Sequence, residues 1–325
     1  MRSVAALSDS LSTDAGPASD AAIMRHFLTK PGFLLARVDQ ICTALYGERG
    51  SGETLAQAEF LLLVDALGTP PQVALARAAG VDTSTTAYVL ANLCARGLVA
   101  RTEDAQDRRR AVVTLTAAGR TRLAPVAADY AALQDILLAP LEPEARERLR
   151  AMLGRIAAHP DGGAPAFLPS GSLLDSAPSF LSRRALQLFQ AQFIASVRDL
   201  NLTPRQLSLL FILTQAPEIT QVGFARLFGL DPSTCAVVMR NLARRGLLDS
   251  APSAEDRRAR TYRITAAGRR MAAEAGPRVD RSEGLVFRDE SAADSRWLVK
   301  QLQQLVLAHS RRLRFPGALV SARPL

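Results

Sequence analysis

The chain is poor in cysteine, histidine and aromatic residues: its 325 residues include three cysteines, three histidines and one tryptophan, and aromatics make up 5%. None of the cysteines forms a CxxC pair, which argues against a disulfide-stapled fold or a zinc module and predicts reduced thiols. No HExxH, GxSxG or Walker A string occurs, and the glycine-rich segment at Gly47 lacks the Lys-Ser/Thr of a phosphate-binding loop. We therefore expect neither an enzyme of these classes nor a bound cofactor or metal.

Long apolar runs are also absent, and no stretch approaches the roughly eighteen residues of a membrane span. Residues 1–22 have neither the apolar core of a signal peptide nor an Arg-rich amphipathic face, which predicts a disordered leader. We expect a cytoplasmic protein without a membrane partner. The 48% of hydrophobic residues is enough for a buried core.

Positive charge is in excess, with 40 Lys and Arg against 31 Asp and Glu and a formal net charge of +9. Such an excess favours a polyanionic partner such as nucleic acid. A charged surface also serves solubility, so charge alone leaves both interpretations open.

The chain contains two copies of one pattern. GVDTSTTAYVLANLCARGLV from Gly80 aligns with GLDPSTCAVVMRNLARRGLL from Gly229, and DRRRAVVTLTAAGR from Asp107 aligns with DRRARTYRITAAGR from Asp256 in the same register. A repeat this long indicates a duplicated domain, because solenoid units are about 20 to 50 residues long. The segments predicted are a leader at 1–22, a first copy at 23–158, an exposed linker at 159–177, a second copy at 178–312 and a fraying tail at 313–325.

Each copy is predicted to contain several helices, a hairpin and two further helices. Helix starts are indicated by two capping boxes and two aspartate N-caps: Thr54 with Gln57, Thr203 with Gln206, Asp82 and Asp231. Apolar stripes at helical spacing mark the first helix of copy one and the last helix of copy two: Phe33, Leu34, Val38, Ile41 and Leu45, then Leu298, Leu302, Leu305 and Val306. Short helix, turn, helix and hairpin is the order of a winged helix-turn-helix domain.

Each copy resembles the MarR family of bacterial transcription regulators, through the strings quoted above and the DRR-then-TAAGR signature of the hairpin. The resemblance covers about residues 31–158 and 178–312. It implies a mainly α fold with small β-hairpins, in which two winged helix-turn-helix domains accompany a helical dimerisation-like region. Family members are usually homodimers of single-copy chains that bind near-palindromic operators. A chain with two copies is therefore expected to form an intrachain pseudodimer on a double-stranded DNA operator.

The hairpin tips carry the strongest candidates for DNA contact: Asp107, Arg108, Arg109, Asp256, Arg257 and Arg258. An arginine on a wing tip can enter a narrow minor groove, and the adjoining aspartate can orient its guanidinium. The alternative is a solvated charge run. Recurrence in both copies, where a wing is expected, favours DNA contact.

Eight residues of the expected recognition helices are further candidates: Ser84, Thr85, Tyr88, Asn92, Ser233, Thr234, Arg240 and Asn241. The hydroxyls can contact phosphate or a base edge, or simply cap the helix. The resemblance implies arginines early in this helix, but the chain has Thr83 and Tyr88, or Pro232 and Val237, at those places. Because Arg240 has Ala91 as its counterpart, the two copies are not expected to contact the same bases.

The resemblance also implies release from DNA by a small aromatic acid, and hence a repressor that responds to an effector. Five basic side chains are candidates for binding its carboxylate: His26, Lys30, Arg37, Arg183 and Arg184. The alternative for each is a solvated surface charge.

Two other functions stay open. Cys42 lies in a segment similar to that of peroxide-sensing relatives, which would make the protein a redox sensor if the thiol were exposed and of low pKa. A buried core cysteine is the alternative. Because the recognition helices are poor in arginine, a degenerate winged-helix module that binds proteins is the other possibility.

The duplication makes a prediction about assembly. A flexible linker of about twenty residues spans roughly 25 Å, enough to join the end of one copy to the start of the other. We expect a monomer of 34.9 kDa that acts as a pseudodimer, as measured by light scattering. A stable homodimer, of twice that mass, would carry four winged helices and contradict this prediction.

Overall fold

The computed structural model describes residues 20–50, 52–103, 111–160, 162–253 and 260–321. Thirteen α-helices occur in this part of the chain. In the first copy they are α1 (Asp20–Leu28), α2 (Pro31–Gly47), α3 (Leu55–Leu67), α4 (Gln72–Ala79), α5 (Thr83–Ala95), α6 (Ala117–Leu138) and α7 (Pro143–Ala157). In the second copy they are α8 (Pro178–Ser196), α9 (Pro204–Gln215), α10 (Gln221–Phe228), α11 (Pro232–Arg244), α12 (Ala266–Val286) and α13 (Ala292–His309).

Each copy contains one antiparallel hairpin, as the sequence predicts. The strands are β1 (Val99–Glu103) with β2 (Ala111–Leu115), and β4 (Leu248–Pro252) with β5 (Arg260–Ile264). A short strand that the sequence did not indicate, β3 (Ile219–Thr220), pairs with the free side of β5. The first copy has a single bridge between Pro71 and Val112 in the corresponding place.

The predicted helix starts are confirmed. The hydroxyls of Thr54 and Thr203 accept a hydrogen bond from the backbone N–H of the paired glutamine, at 3.2 and 3.3 Å, and each glutamine side chain accepts one in return. Asp82 and Asp231 cap α5 and α11, each accepting from the N–H three residues later at 2.8 Å. Local sequence therefore determines where these four helices begin.

The described residues form two compact units that do not coincide with the two copies. The small unit comprises residues 20–26, 203–275 and 317–321, and contains the second winged helix. The large unit comprises residues 27–202 and 276–316, and contains the first winged helix together with helices from both copies. The compact units are defined by contacts in space, whereas the two copies are defined by sequence similarity. The boundaries proposed for the copies therefore remain predictions.

The core of the large unit is built on α2 and α8, the first long helices of the two copies, which pack against each other and against α6, α7 and α13. Leu34, Val38, Ile41 and Leu45 are buried on α2 as predicted, whereas Phe33 is half-buried. The predicted face of α13 is buried as well: Leu298, Leu302, Leu305 and Val306. This packing of one copy on the other within one chain is the pseudodimer that the sequence predicts.

The linker differs from the flexible coil assumed in the sequence analysis. The Leu168 N–H donates to the Arg77 carbonyl at 3.1 Å, and the Arg184 guanidinium donates to the Pro165 carbonyl at 2.8 Å. Leu174, in a short 3-10 helix at Leu173–Ser176, is fully buried. The segment is therefore held against the large unit by specific contacts, and a random-coil estimate does not apply to it.

The two ends of the chain also depart from expectation. Helix α1 begins at Asp20, inside the predicted leader, and residues 1–19 lie outside the described part. In the predicted fraying tail, Gly317–Ser321 forms a 3-10 helix that packs on α10, with Leu319 only 2% exposed. Gly317 permits this contact because it has φ 61° and any Cβ there would lie 2.7 Å from the Gly229 nitrogen.

A glycine in the first turn of α6 makes a closer backbone contact, and this gives a stability prediction. A Cβ at Gly119 would lie 2.0 Å from the Leu98 carbonyl oxygen, which is main chain and has little room to move. We expect Gly119→Ala to lower the free energy of unfolding in urea by about 1 to 3 kcal/mol. The control Gly154→Ala, in α7 with no atom within 4 Å, should raise it by up to about 1 kcal/mol. Equal effects of the two substitutions on the free energy of unfolding would contradict the close approach of Gly119 to the Leu98 carbonyl oxygen.

Candidate nucleic-acid interface

The two helix-turn-helix pairs, α4 with α5 and α10 with α11, are joined in the same way. The Gln72 amide donates to the Thr83 carbonyl at 3.3 Å, and the Gln221 amide donates to the Pro232 carbonyl at 2.8 Å. Gly80 ends α4 in the left-handed conformation, as Gly229 ends α10, at φ 61° and 66°. Both copies therefore present the second helix of the pair, the recognition helix, through the same local geometry.

The exposed faces of the two recognition helices differ in chemistry. On α5 the exposed side chains at helical spacing are Ser84, Tyr88, Ala91 and Ala95. On α11 they are Ser233, Val237, Arg240 and Arg244. The α5 face thus carries no charge, whereas the matching face of α11 carries two positive charges.

Three of the four candidate hydroxyls donate to the aspartate that caps their helix. The Thr85 hydroxyl donates to Asp82 at 2.7 Å, and those of Ser233 and Thr234 donate to Asp231, both at 2.5 Å. These bonds lower the pKa of Asp231, the Ser233 hydroxyl having the largest effect. The pKa of Asp82 is lowered too, mainly by the backbone N–H of Thr85. Ser84 is exposed, and contact of any of these hydroxyls with DNA remains a prediction.

The two candidate asparagines are engaged within their own helices. The Asn92 amide donates to the Tyr88 carbonyl at 2.9 Å, and the Asn241 side-chain oxygen accepts a hydrogen bond from Arg244. Base contact by either asparagine would require these bonds to break. Tyr88 and Arg240, by contrast, both project into solvent, with Tyr88 72% exposed.

The wing residues proposed from the sequence lie outside the described residues: Asp107, Arg108, Arg109, Asp256, Arg257 and Arg258. The strands that lead to them carry further exposed arginines. Arg101 on β1 donates to the Gln72 side chain at 3.3 Å, and Arg263 on β5 pairs with Glu218 at 2.6 Å. Positive charge therefore accompanies the helix-turn-helix on the wing side in both copies.

An open concavity of about 370 Å³ lies beside the recognition helix of the small unit. Its walls come from the start of α10, the exposed side of α11 and the two long strands: Gln221, Ala236, Arg240, Ala243, Arg244, Ser250 and Tyr262. Two guanidinium groups and a phenol ring thus face one shallow surface, a composition suited to a phosphate or to a base edge.

The arginines proposed to bind an effector are in contact with the protein itself. Arg37 is 3% exposed, donates to Gln40 at 2.9 Å and lies over the Phe33 ring. Arg184 is 2% exposed and lies over the ring of Phe167 from the linker. The alternative of a solvated charge is therefore wrong for both, and neither is an open carboxylate clamp in this conformation.

Two other proposed effector residues, His26 and Lys30, belong to different compact units. His26 stacks on Phe211 in the small unit, with ring centroids 3.9 Å apart. In the large unit, Lys30 pairs with Asp280 at 2.6 Å and lies 3.9 Å from Glu283. Burial raises the pKa of Glu283 to about 7, although Lys30 opposes the shift.

A buried polar network that the sequence analysis missed surrounds Arg183. The Arg183 guanidinium donates to the Glu59 carboxylate and, at 3.3 Å, to the Ala79 carbonyl. The Tyr130 hydroxyl lies 3.5 Å from Glu59 and 3.2 Å from the Ser179 hydroxyl. Burial raises the pKa of Glu59, with Arg183 opposing the shift. The sequence feature that could have indicated this network is Glu59, an acidic residue directly before the apolar run at 60–64.

Cys42 and Cys235 do not have the properties of redox sensors. Cys42 is 1% exposed, and burial together with the nearby Asp39 and Glu59 raises its pKa well above the ordinary value. Burial also raises the pKa of Cys235 to about 11. A thiol sensor needs an accessible thiolate, so the structure favours the core interpretation of Cys42.

The described residues contain no group of three or more His, Cys, Asp or Glu side chains that could hold a metal ion. Taken singly, none of their helices is long and apolar enough to cross a membrane, although the bent pair α10 and α11 passes that test when combined.

Helix-turn-helix followed by a wing, present twice, defines a protein with two winged helix-turn-helix domains. Models of the MarR family match residues 51–110 and 202–259, one in each copy. The chain belongs to the MarR family, as two tandem copies, and members of this family are transcription regulators rather than enzymes.

Solved structures of single-copy regulators are similar to part of the chain. A probable transcriptional regulator from Pseudomonas aeruginosa is 34% identical, over 39% of this chain and 96% of that one, with a TM-score of 0.38. PcaV from Streptomyces coelicolor is 31% identical, over 36% and 85%, with a TM-score of 0.34. BpsR from Bordetella bronchiseptica, whose DNA binding is regulated by 6-hydroxynicotinic acid, is 27% identical, over 35% and 81%, with a TM-score of 0.33. No curated protein matches the chain.

The Glu59–Arg183 pair gives a second stability prediction. Arg183→Met leaves the Glu59 carboxylate buried without its cation, which should lower the free energy of unfolding by about 3 to 5 kcal/mol. The double variant Glu59→Gln with Arg183→Met should recover most of that loss. As a control, Arg263→Met breaks an exposed pair with Glu218 and should cost no more than about 1 kcal/mol. If the single and double variants are equally unstable, the pair is not the source of the loss.

Proposed function

We propose that the chain is a sequence-specific DNA-binding transcriptional repressor of the cytoplasm, with two winged helices in one chain, and that a small aromatic acid releases it from DNA. The observation that carries the proposal is the repeated helix-turn-helix geometry, which exposes a recognition helix in each copy of a MarR-family chain. The net charge of +9 supports a polyanionic partner.

The second copy offers the clearer DNA-binding surface. Arg240 and Arg244 are exposed on α11 and line the same concavity. A guanidinium in the major groove can donate two hydrogen bonds to guanine, whereas a wing arginine such as Arg108 or Arg257 would neutralise phosphate. In this proposal the wings supply affinity and α11 supplies part of the specificity.

Release by an acid is proposed to depend on the basic side chains inside the large unit. Arg183 is already paired with Glu59, so a carboxylate effector there would have to replace an internal carboxylate. Lys30 is also paired, but its partner Asp280 has a side chain 62% exposed, so an effector carboxylate could replace it without burying a free charge. An aromatic acid such as 6-hydroxynicotinic acid is a suitable first probe, tested by its ability to weaken DNA binding.

One observation favours a second function for the first copy. The exposed face of α5 carries no charge, as would suit a degenerate domain that binds a protein. In that case, selection from a random DNA library would recover a single half-site, and substitutions on α5 would leave DNA affinity unchanged.

DNA selection followed by affinity measurements tests the proposal. We expect Arg257→Ala to weaken all DNA sequences alike and to reduce the salt slope of the binding constant by about one. Arg240→Ala should change base preference in one half-site by about 1 to 3 kcal/mol, giving an asymmetric footprint. Arg198→Ala, outside both helix-turn-helix motifs, controls for the loss of one exposed charge. The proposal is wrong if no DNA is enriched, and divergent readout is wrong if both half-sites respond equally to Arg240→Ala.

A further inference from the structure

The exposed face of α5 has an unusual composition for a helix expected to enter a DNA groove. Ser84 supplies one hydroxyl, Ala91 and Ala95 supply methyl groups, and Tyr88 supplies a large aromatic ring. Tyr88 is 72% exposed, among the most exposed of the large hydrophobic side chains in the described residues. Aromatic rings of this size are usually at least partly buried, so a ring held in solvent indicates a surface that binds something.

Three further polar side chains of α5 are hydrogen-bonded within the helix or to its cap. The Thr85 hydroxyl donates to the Asp82 carboxylate at 2.7 Å, and the Thr86 hydroxyl donates to the Asp82 carbonyl at 2.9 Å. The Asn92 amide donates to the Tyr88 carbonyl at 2.9 Å. The hydrogen-bonding groups that usually identify bases are thus scarce on the outward face of this helix.

The preceding helix also carries an exposed apolar side chain. Val73, the second residue of α4, is 54% exposed, and Gln72 beside it binds the first residue of α5. Gln72 also accepts a hydrogen bond from Arg101 of the wing. Gln72 thus links the start of the recognition helix to an exposed cation of the wing, which could contact phosphate beside a bound helix.

Among the base edges of the major groove, the C5-methyl group of thymine is the apolar one, and apolar side chains contact it. We infer that α5 recognises thymine methyl groups in one half of the DNA site, with Tyr88 as the main contact, whereas α11 recognises guanine through Arg240. The inference rests on the proposed function and specifies the base chemistry of each half-site. Thymine is expected in the α5 half-site at the bases that Tyr88 contacts.

Replacing thymine by deoxyuridine tests this directly, because it removes the methyl group and keeps every hydrogen-bonding group of the base pair. The site is first selected from a random library with the full chain, and the α11 half-site is identified as the one whose base preference changes in Arg240→Ala. Deoxyuridine in the other half-site should weaken binding about fourfold for each contacted methyl group. The same replacement in the flanking sequence, as a control, should have no effect.

Variants of the chain test whether the Tyr88 ring causes the difference in affinity between thymine and deoxyuridine sites. Tyr88→Ala should bind thymine and deoxyuridine sites equally, whereas Tyr88→Phe, which keeps the ring, should retain the fourfold difference. Val237→Ala on α11 should leave the difference in the α5 half-site unchanged. Undiminished binding of the deoxyuridine site by the unmodified chain, or a selected α5 half-site without thymine, would overturn the inference while leaving DNA binding intact. Failure to select any DNA would instead reject the proposed function.

Discussion

The buried ion pair between Glu59 and Arg183 connects the first winged helix to the helical core of the large unit. Glu59 lies on α3 of the winged helix, whereas Arg183 lies on α8, the first long helix of the other copy. A carboxylate inside an apolar core is stable only with a partner, so the two helices cannot separate without exposing or neutralising a charge. Arg183 also binds the end of α4 through the Ala79 carbonyl, and thereby connects the helix-turn-helix to the core.

The second copy has no equivalent of this ion pair in the aligned positions. In the alignment of the repeats, Ser208 stands where the first copy has Glu59, and Ala36 stands where the second has Arg183. The recognition helices diverge in the same manner, with a neutral face on α5 and a dibasic face on α11. Similar folds in the two copies therefore support different contacts, because caps and apolar stripes define the fold whereas single exposed or buried charges define the contacts.

The sequence predicted the features that local rules control. Capping boxes and aspartate caps gave four helix starts correctly, all but one of the predicted stripe residues are buried, and the repeat predicted packing of one copy on the other. It did not predict the burial of Arg37 and Arg184 or the pairing of Glu59. The contacts of Arg184 and Glu59 are with residues far away in the chain. The composition of the linker predicted a flexible coil. In the structure a hydrogen bond of the Leu168 N–H and the burial of Leu174 hold the linker in place.

The joining of the copies by a segment that is itself packed has an evolutionary consequence. In a homodimer every substitution appears in both subunits, so a change that suits one half of an asymmetric partner is imposed on the other. Here a residue such as Arg240 can arise without altering Ala91, its counterpart in the first copy. Each chain also contains both halves in a fixed ratio of one to one. Dimers of two identical halves therefore do not compete with the pairing of two different halves. Duplication within one gene product thus permits the two halves to specialise independently.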